Sequence, residues 1–134
     1  MKKTVLLALT MLLIVSKDVT AQNHLIRITN TQIIAPDTIV LDTLNQGEQT
    51  YIKIIIKNDR PNSVEIKNIK TPPGTGASIE TTLIKPKTQT ELFVGFDTNW
   101  MNVNGNFVAK IILETNLIKD IVINVKGFVN QSND

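Results

Sequence analysis

The sequence predicts an all-β protein, a single antiparallel two-sheet sandwich of about seven to eight strands. Three observations carry that reading. Residues 22–134 hold 18 Ile, 8 Val and 13 Thr against three Ala, and such stiff, β-branched side chains suit a pleated surface better than a helix. Apolar and polar residues alternate with period two in several segments, and no segment after residue 21 sustains a 3.6-residue apolar period. Fourteen Asn, six Gly and five Pro then punctuate the runs at the spacing that short strands require.

The chain opens with what reads as a cleaved signal peptide, residues 1–21. Lys2 and Lys3 form a positive start, residues 5–15 are apolar except for Thr10, and Val19-Thr20-Ala21 supplies small or β-branched residues at a peptidase site. Cleavage is expected between Ala21 and Gln22. Eleven residues at about 1.5 Å rise reach only half of a hydrocarbon core roughly 30 Å thick, so a membrane span is not expected. The mature chain is expected to be exported and soluble, periplasmic or extracellular. Its expected parts are an N-terminal segment, 22–35, and a sandwich domain, 36–130.

The elements follow in order. Residues 25–29 form a possible first strand with Ile26 and Ile28 on one face, and 31–35 lead to Pro36. Residues 38–44 read as one strand of mixed alternation. The clearest strand is 51–57, with Ile52, Ile54 and Ile56 on a core face and Tyr51, Lys53, Ile55 and Lys57 outside. After the turn 58–63, residues 64–69 place Val64 and Ile66 inward, with a bulge at Lys67-Asn68 that brings Ile69 back in. Residues 71–76, with two prolines and two glycines, read as a loop. A Thr-rich strand is expected over 77–83. Residues 90–96 put Leu92, Val94 and Phe96 inside. A polar loop, 97–106, precedes the strand 107–115, with Phe107, Ala109, Ile111 and Leu113 inside. The last strand, 121–129, buries Ile121, Ile123, Val125 and Val129.

Charge and composition exclude several functions. Three of the 14 basic and one of the 12 acidic residues lie in the leader, so the mature chain is neutral with eleven of each. Phosphate neutralisation therefore has no source, and nucleic acid is not an expected partner. The sequence has no cysteine, which removes disulfides and thiol chemistry.

The run Tyr51-Ile-Lys-Ile-Ile-Ile-Lys-Asn58, then Val64-x-Ile66-x-x-Ile69, Ile84-Lys-Pro86, Leu92-x-Val94-x-Phe96-Asp97-Thr98, Gly105-x-Phe107-x-x-x-Ile111 and Ile121-x-Ile123-x-Val125-x-Gly127-x-Val129, forms a pattern. It resembles the small exported bacterial immunoglobulin-like domains of unknown function, similar to domains of cilium and centrosome proteins and the major sperm protein. The resemblance covers roughly residues 36–129 and implies an immunoglobulin-like sandwich. Many members carry a Cys-Gly-Cys-like element where this chain reads Thr71-Pro72-Pro73-Gly74-Thr75-Gly76. No metal or redox role of those cysteines carries over.

Candidate chemistry is sparse. Gly74-Thr75-Gly76 lacks the Gly-Lys-Ser/Thr ending of a phosphate loop. Ser63, Ser78 and Ser132 have only His24, on the terminal segment, as a conceivable base. Asp97, Glu114 and Asp120 stand apart near strand ends, and no Asp-x-Asp spacing offers a calcium site. The binding candidates are Trp100 and Met101, because an exposed Trp is often an interface anchor and loops on a rigid sandwich collect recognition residues. The more ordinary fate of Trp100 is a lid over the sandwich's open end. Tyr51, Ile55 and Phe93 make an outward apolar patch only if their strands are neighbours.

The expected function is that of an exported, non-enzymatic domain that binds a protein or supports an envelope structure, without a cofactor, as a monomer or weak oligomer. One alternative is an assembly or chaperone module that pairs an edge strand, with 121–129 the suspect edge. Another is a glycan-binding domain or small hydrolase, for which six aromatic residues are few.

Overall fold

The computed structural model describes residues 23–131; the leader, its cleavage point and Ser132 lie outside them. Eleven strands and one short helix follow in chain order: β1 (Asn23–Ile28), β2 (Ile33–Ile34), β3 (Ile39–Val40), β4 (Leu44–Asn45), β5 (Gln49–Asn58), β6 (Val64–Lys70), β7 (Thr75–Ile79), β8 (Leu83–Ile84), β9 (Gln89–Asp97), α1 (Thr98–Met101), β10 (Gly105–Thr115) and β11 (Ile121–Asn130). No helix among the described residues is long and apolar enough to cross a membrane.

Two sheets result. One has the order β2-β1-β5-β9-β7, and the other β3-β11-β10-β6-β8 with β4 also on β11. Seven strands are five residues or longer; β2, β3, β4 and β8 have two residues each. In chain order the longer strands divide as first, second, fifth and fourth in one sheet and seventh, sixth and third in the other. That is the partition of an immunoglobulin-like sandwich.

Alternation places the core. Ile52, Ile54 and Ile56 from β5 and Leu92, Val94 and Phe96 from β9 face Ile111 and Leu113 of β10 and Ile121, Ile123 and Val125 of β11, all buried. Each such side chain contributes about 1.5–3 kcal/mol of apolar burial. The ring of Phe107 lies over its cross-strand partner Gly127, where a Cβ would sit 2.6 Å from it. The bulge in β6 falls at Lys67: Glu114 pairs with Asn68, but Thr115 pairs with Ile66. Ile69 returns half-buried against the core.

Four expectations need correction. The sheets are mixed, not antiparallel throughout, because β1 runs parallel to β5 and both β3 and β4 run parallel to β11. The connection from β1 to β5 passes through the other sheet, long enough for a parallel crossover. The strand 38–44 is interrupted into β3 and β4. The segment 77–83 is also two pieces, since the chain leaves the first sheet after Ile79 and joins β6 at Leu83–Ile84. The loop 71–76 ends early: Thr75 and Gly76 already pair with Phe96 and Gly95. A tight turn confines the irregular backbone, with Gly74 at φ +77° and the Thr75 N–H donating to the Pro72 carbonyl at 3.1 Å.

Candidate binding surface

The outer face of the β5–β9–β7 portion carries the most distinctive surface. With odd residues of β5 and β9 outside, the register sets Tyr51, Gly95 and Gly76 in one row across the sheet and Lys53, Phe93 and Ser78 in the next. Two glycines therefore lie side by side on adjacent strands, and their row has no side chain between Tyr51 and the sheet edge. The result is an open groove of about 1020 Å³, floored by backbone and lined by Tyr51, Phe93, Ser78, Asp97 and Trp100 among others. The Tyr51 and Phe93 rings are tilted against each other with centroids 6.3 Å apart. The two strands are thus neighbours, and the outward apolar patch exists at least at this pair.

The groove owes its shape to the absence of side chains, not to backbone need. A Cβ on Gly76 would meet nothing within 4 Å, and one on Gly95 only the Thr50 carbonyl at 3.9 Å. Neither residue has a positive φ. Larger residues would fit there and fill the space.

Trp100 stands at the groove's end on a fixed mount. The expected loop 97–106 is instead the one-turn helix α1 followed by a short connection into β10. Asp97 caps α1, accepting from the Asn99 N–H at 3.0 Å and from the Gln49 side-chain amide at 3.0 Å. Buried Thr98 ties the helix to the turn before β5: its hydroxyl donates to the Glu48 carbonyl and accepts from the Gly47 N–H, both at 2.8 Å. Asn102 ends the turn in the left-handed region at φ 53°. On this mount Trp100 is 74% exposed, so the lid arrangement is not the one adopted. Met101 points back instead. It is half-buried against the core and lies so close to Gly74 that a Cβ there would come 2.6 Å from the Met101 nitrogen. The two candidates thus part: Trp100 faces solvent, and Met101 locks α1 onto the β6–β7 turn.

The other candidates do not converge. Asp97 lies on the first sheet, while Glu114 lies on the second beside Lys70 at 3.4 Å and Asn68 at 3.0 Å. The Asn68 amide and the Lys70 ammonium hold the Glu114 carboxyl below its usual range. His24 of β1 pairs with Ile54 of β5, and two strands, β5 and β9, separate it from Ser78 on β7; partial burial lowers its imidazole pKa. Among the described residues no cluster of three or more His, Cys, Asp or Glu could hold a metal ion.

Sequence reasoning missed the paired glycines. Gly95 did carry a signal, as a glycine at an outward position inside a strongly alternating strand. Gly76 did not, because two adjacent prolines marked it as loop. The buried Asn58 was also missed. Its side-chain amide donates to the Asn62 and Ile84 carbonyls at 2.8 and 2.9 Å, and its oxygen accepts from the Arg60 N–H at 2.9 Å.

No family model and no curated protein matches the chain. Solved structures do share its fold. A protein of unknown function from Porphyromonas gingivalis W83 aligns with TM-score 0.60 at 22% identity, over 81% of this chain and 48% of that one. A family 123 glycoside hydrolase from Clostridium perfringens, studied for glycolipid glycan hydrolysis, aligns with TM-score 0.61 at 8% identity, over 74% of this chain and 24% of that one. The periplasmic chaperone SfaE reaches a TM-score of only 0.36 at 10% identity, too low to carry an argument. This chain spans about half the length of the Porphyromonas protein and about a quarter of the hydrolase. At these identities the likeness shows one thing: the chain has a sandwich fold that also occurs within larger proteins.

Proposed function

We propose that this protein is an exported, non-enzymatic immunoglobulin-like domain that binds another protein in the cell envelope through the groove beside Trp100. One observation carries the reading. An indole that is 74% exposed projects from the anchored helix α1 at the end of a groove with a bare Gly76–Gly95 floor and Tyr51 and Phe93 alongside. Rigid aromatic residues around open space cost little entropy on binding and are the usual anchors of interfaces. Export rests on the leader sequence, and the resemblance to small exported bacterial immunoglobulin-like domains supports a binding or structural role.

Affinity capture from the organism's own envelope fraction tests the reading, with the unaltered protein beside Trp100→Ala and Gly95→Val. The sole Trp should emit at long wavelength and be quenched readily by iodide. Trp100→Ala should cost no more than about 0.5 kcal/mol of stability, and Gly95→Val should fold because its side chain meets open space. Both should weaken capture by ~2 kcal/mol, about thirtyfold. Undiminished capture of the same partner by both variants refutes the site.

A further inference from the structure

We infer that the free edge of β7 accepts an extended segment of the partner polypeptide as an added antiparallel strand, whose outward side chains fill the glycine-floored groove. The inference rests on the groove reading and adds the partner's backbone form and sequence pattern. It begins with hydrogen bonds. The Glu80 N–H donates to the Glu91 carbonyl at 3.0 Å, and the Asp97 N–H to the Gly74 carbonyl at 2.8 Å. These bonds lie at the two ends of the β7–β9 ladder and fix its phase. Alternation in an antiparallel ladder then turns the amides and carbonyls of Gly76 and Ser78 toward β9 and those of Ala77 and Ile79 away from it. No other backbone or side-chain group among the described residues bonds Ala77 or Ile79 across that edge.

The edge is also unguarded. The other outermost strands, β2, β3, β4 and β8, have two residues each, too short to template pairing, whereas β7 has five. Its sequence, Thr75-Gly-Ala-Ser-Ile79, contains no charge and no proline, and its register with β9 shows no bulge. Charged side chains, prolines and bulges are the means by which exposed edges normally avoid a further strand. The strand 121–129, the edge suspected from sequence, is paired with β10 on one side and covered by β3 and β4 along its C-terminal half.

The register specifies the occupant. On an added antiparallel strand, residues opposite Glu80, Ser78 and Gly76 occur in that order at alternate positions on the groove side. From a residue opposite Gly76, the bare row extends over β7 and β9 to Tyr51, three strand spacings of about 4.8 Å. A large aromatic side chain can lie in that gap and meet Tyr51 and Phe93. Opposite Glu80 the demand is electrostatic. Glu80 faces Glu91 across the ladder, and Glu91 already holds Lys53 at 3.1 Å. A basic residue on the incoming strand would balance the second carboxylate. The pattern is therefore a basic residue followed four positions later by an aromatic one. A second copy paired antiparallel about Ser78 would bring Glu80, not an aromatic residue, opposite Gly76, and Gly76, not a basic residue, opposite Glu80.

Amide hydrogen exchange and chemical-shift mapping on the labelled protein test this, with the blocked peptide Thr-Arg-Val-Thr-Val-Tyr-Thr as probe. In the free protein the Ala77 and Ile79 amides should exchange at least about tenfold faster than those of Ser78 and Glu80. Adding the peptide should protect Ala77 and Ile79 and shift Tyr51, Phe93 and Trp100. A peptide N-methylated at the two valines between Arg and Tyr, and one with Tyr replaced by Ser, should each bind about tenfold more weakly or worse. The inference is overturned if Ala77 and Ile79 are slow in the free monomer, or if the peptide leaves them unprotected. Equal binding of the N-methylated peptide would also overturn it. Protection that grows with protein concentration alone would make the occupant a second copy, and groove shifts with soluble oligosaccharides but not the peptide would make it a glycan; both refute the inference. If Trp100→Ala and Gly95→Val abolish envelope capture while the peptide leaves Ala77 untouched, the groove reading stands and the edge inference alone fails.

Discussion

Replacing Gly74 by alanine should be the most damaging small change near the groove, and the reason divides into two parts. Gly74 has φ +77°, in the left-handed region, where an L-residue costs about 1–2 kcal/mol. Gly47, at φ +95°, would pay a similar cost, but its Cβ would meet nothing within 4 Å. At Gly74 the Cβ would also sit 2.6 Å from the Met101 nitrogen and 2.8 Å from its Cα. Those are backbone atoms, so α1 itself must move, at a further ~1–3 kcal/mol typical of overpacking. Gly74→Ala should therefore lose about 2–5 kcal/mol and Gly47→Ala about 1–2. Gly76→Ala, with ordinary φ and open space, should change stability by no more than about 0.5 kcal/mol. At about 4 °C per kcal/mol for a domain of this size, Gly74→Ala lowers Tm by roughly 8–20 °C. Urea and thermal unfolding followed by circular dichroism measure all three, and Trp100 emission reports whether α1 has shifted. Equal losses for Gly74→Ala and Gly47→Ala would refute the claim that Met101 clamps α1 to this turn.

The remaining predictions concern the core, a buried amide and one carboxylate. Ile54→Asp should abolish folding, because Ile54 is fully buried and an unpaired carboxylate there costs more than the usual stability margin. Lys53→Ala, which loses only the surface pair with Glu91, should cost about 1 kcal/mol or less in the same urea series; equal stability of the two variants would reverse the face assignment of β5. Asn58→Ala strips partners from the Asn62 and Ile84 carbonyls and the Arg60 N–H, and should cost about 3 kcal/mol by urea unfolding; a loss below 1 kcal/mol would mean that water replaces the amide. Glu114 should titrate below the usual carboxylate range by NMR, first because of the Asn68 hydrogen bond and then because of Lys70. Its folded pKa lies below the unfolded one, so its stabilising contribution is present above the ordinary Glu pKa and is lost as pH falls through the folded value. Asn68→Ala should move the midpoint upward, and an unchanged midpoint would remove the hydrogen bond as its cause.

What the sequence by itself determined was the all-β class and the inward face of the longer alternating strands. Both are local: a side-chain period of two needs only neighbours along the chain, and burial of Ile52, Ile54 and Ile56 or of Leu92, Val94 and Phe96 follows from it. The bulge at Lys67 was legible for the same reason, since Ile66 and Ile69 cannot share a face without an extra residue. Strand partners were not legible. The parallel entry of β1, the division of 38–44 and 77–83 into shorter pieces, and the cover over β11 all depend on which segments lie side by side, a matter of long-range packing. The groove belongs to this second kind. Gly95 stands out along the chain and Gly76 does not, and only the register of β7 against β9 sets them opposite each other. Trp100 could be named from sequence but not oriented. Its exposure follows from Thr98 reaching the Glu48 carbonyl and from Met101 packing on Gly74, contacts between parts of the chain far apart in sequence that form only when β5, β9 and β7 lie side by side.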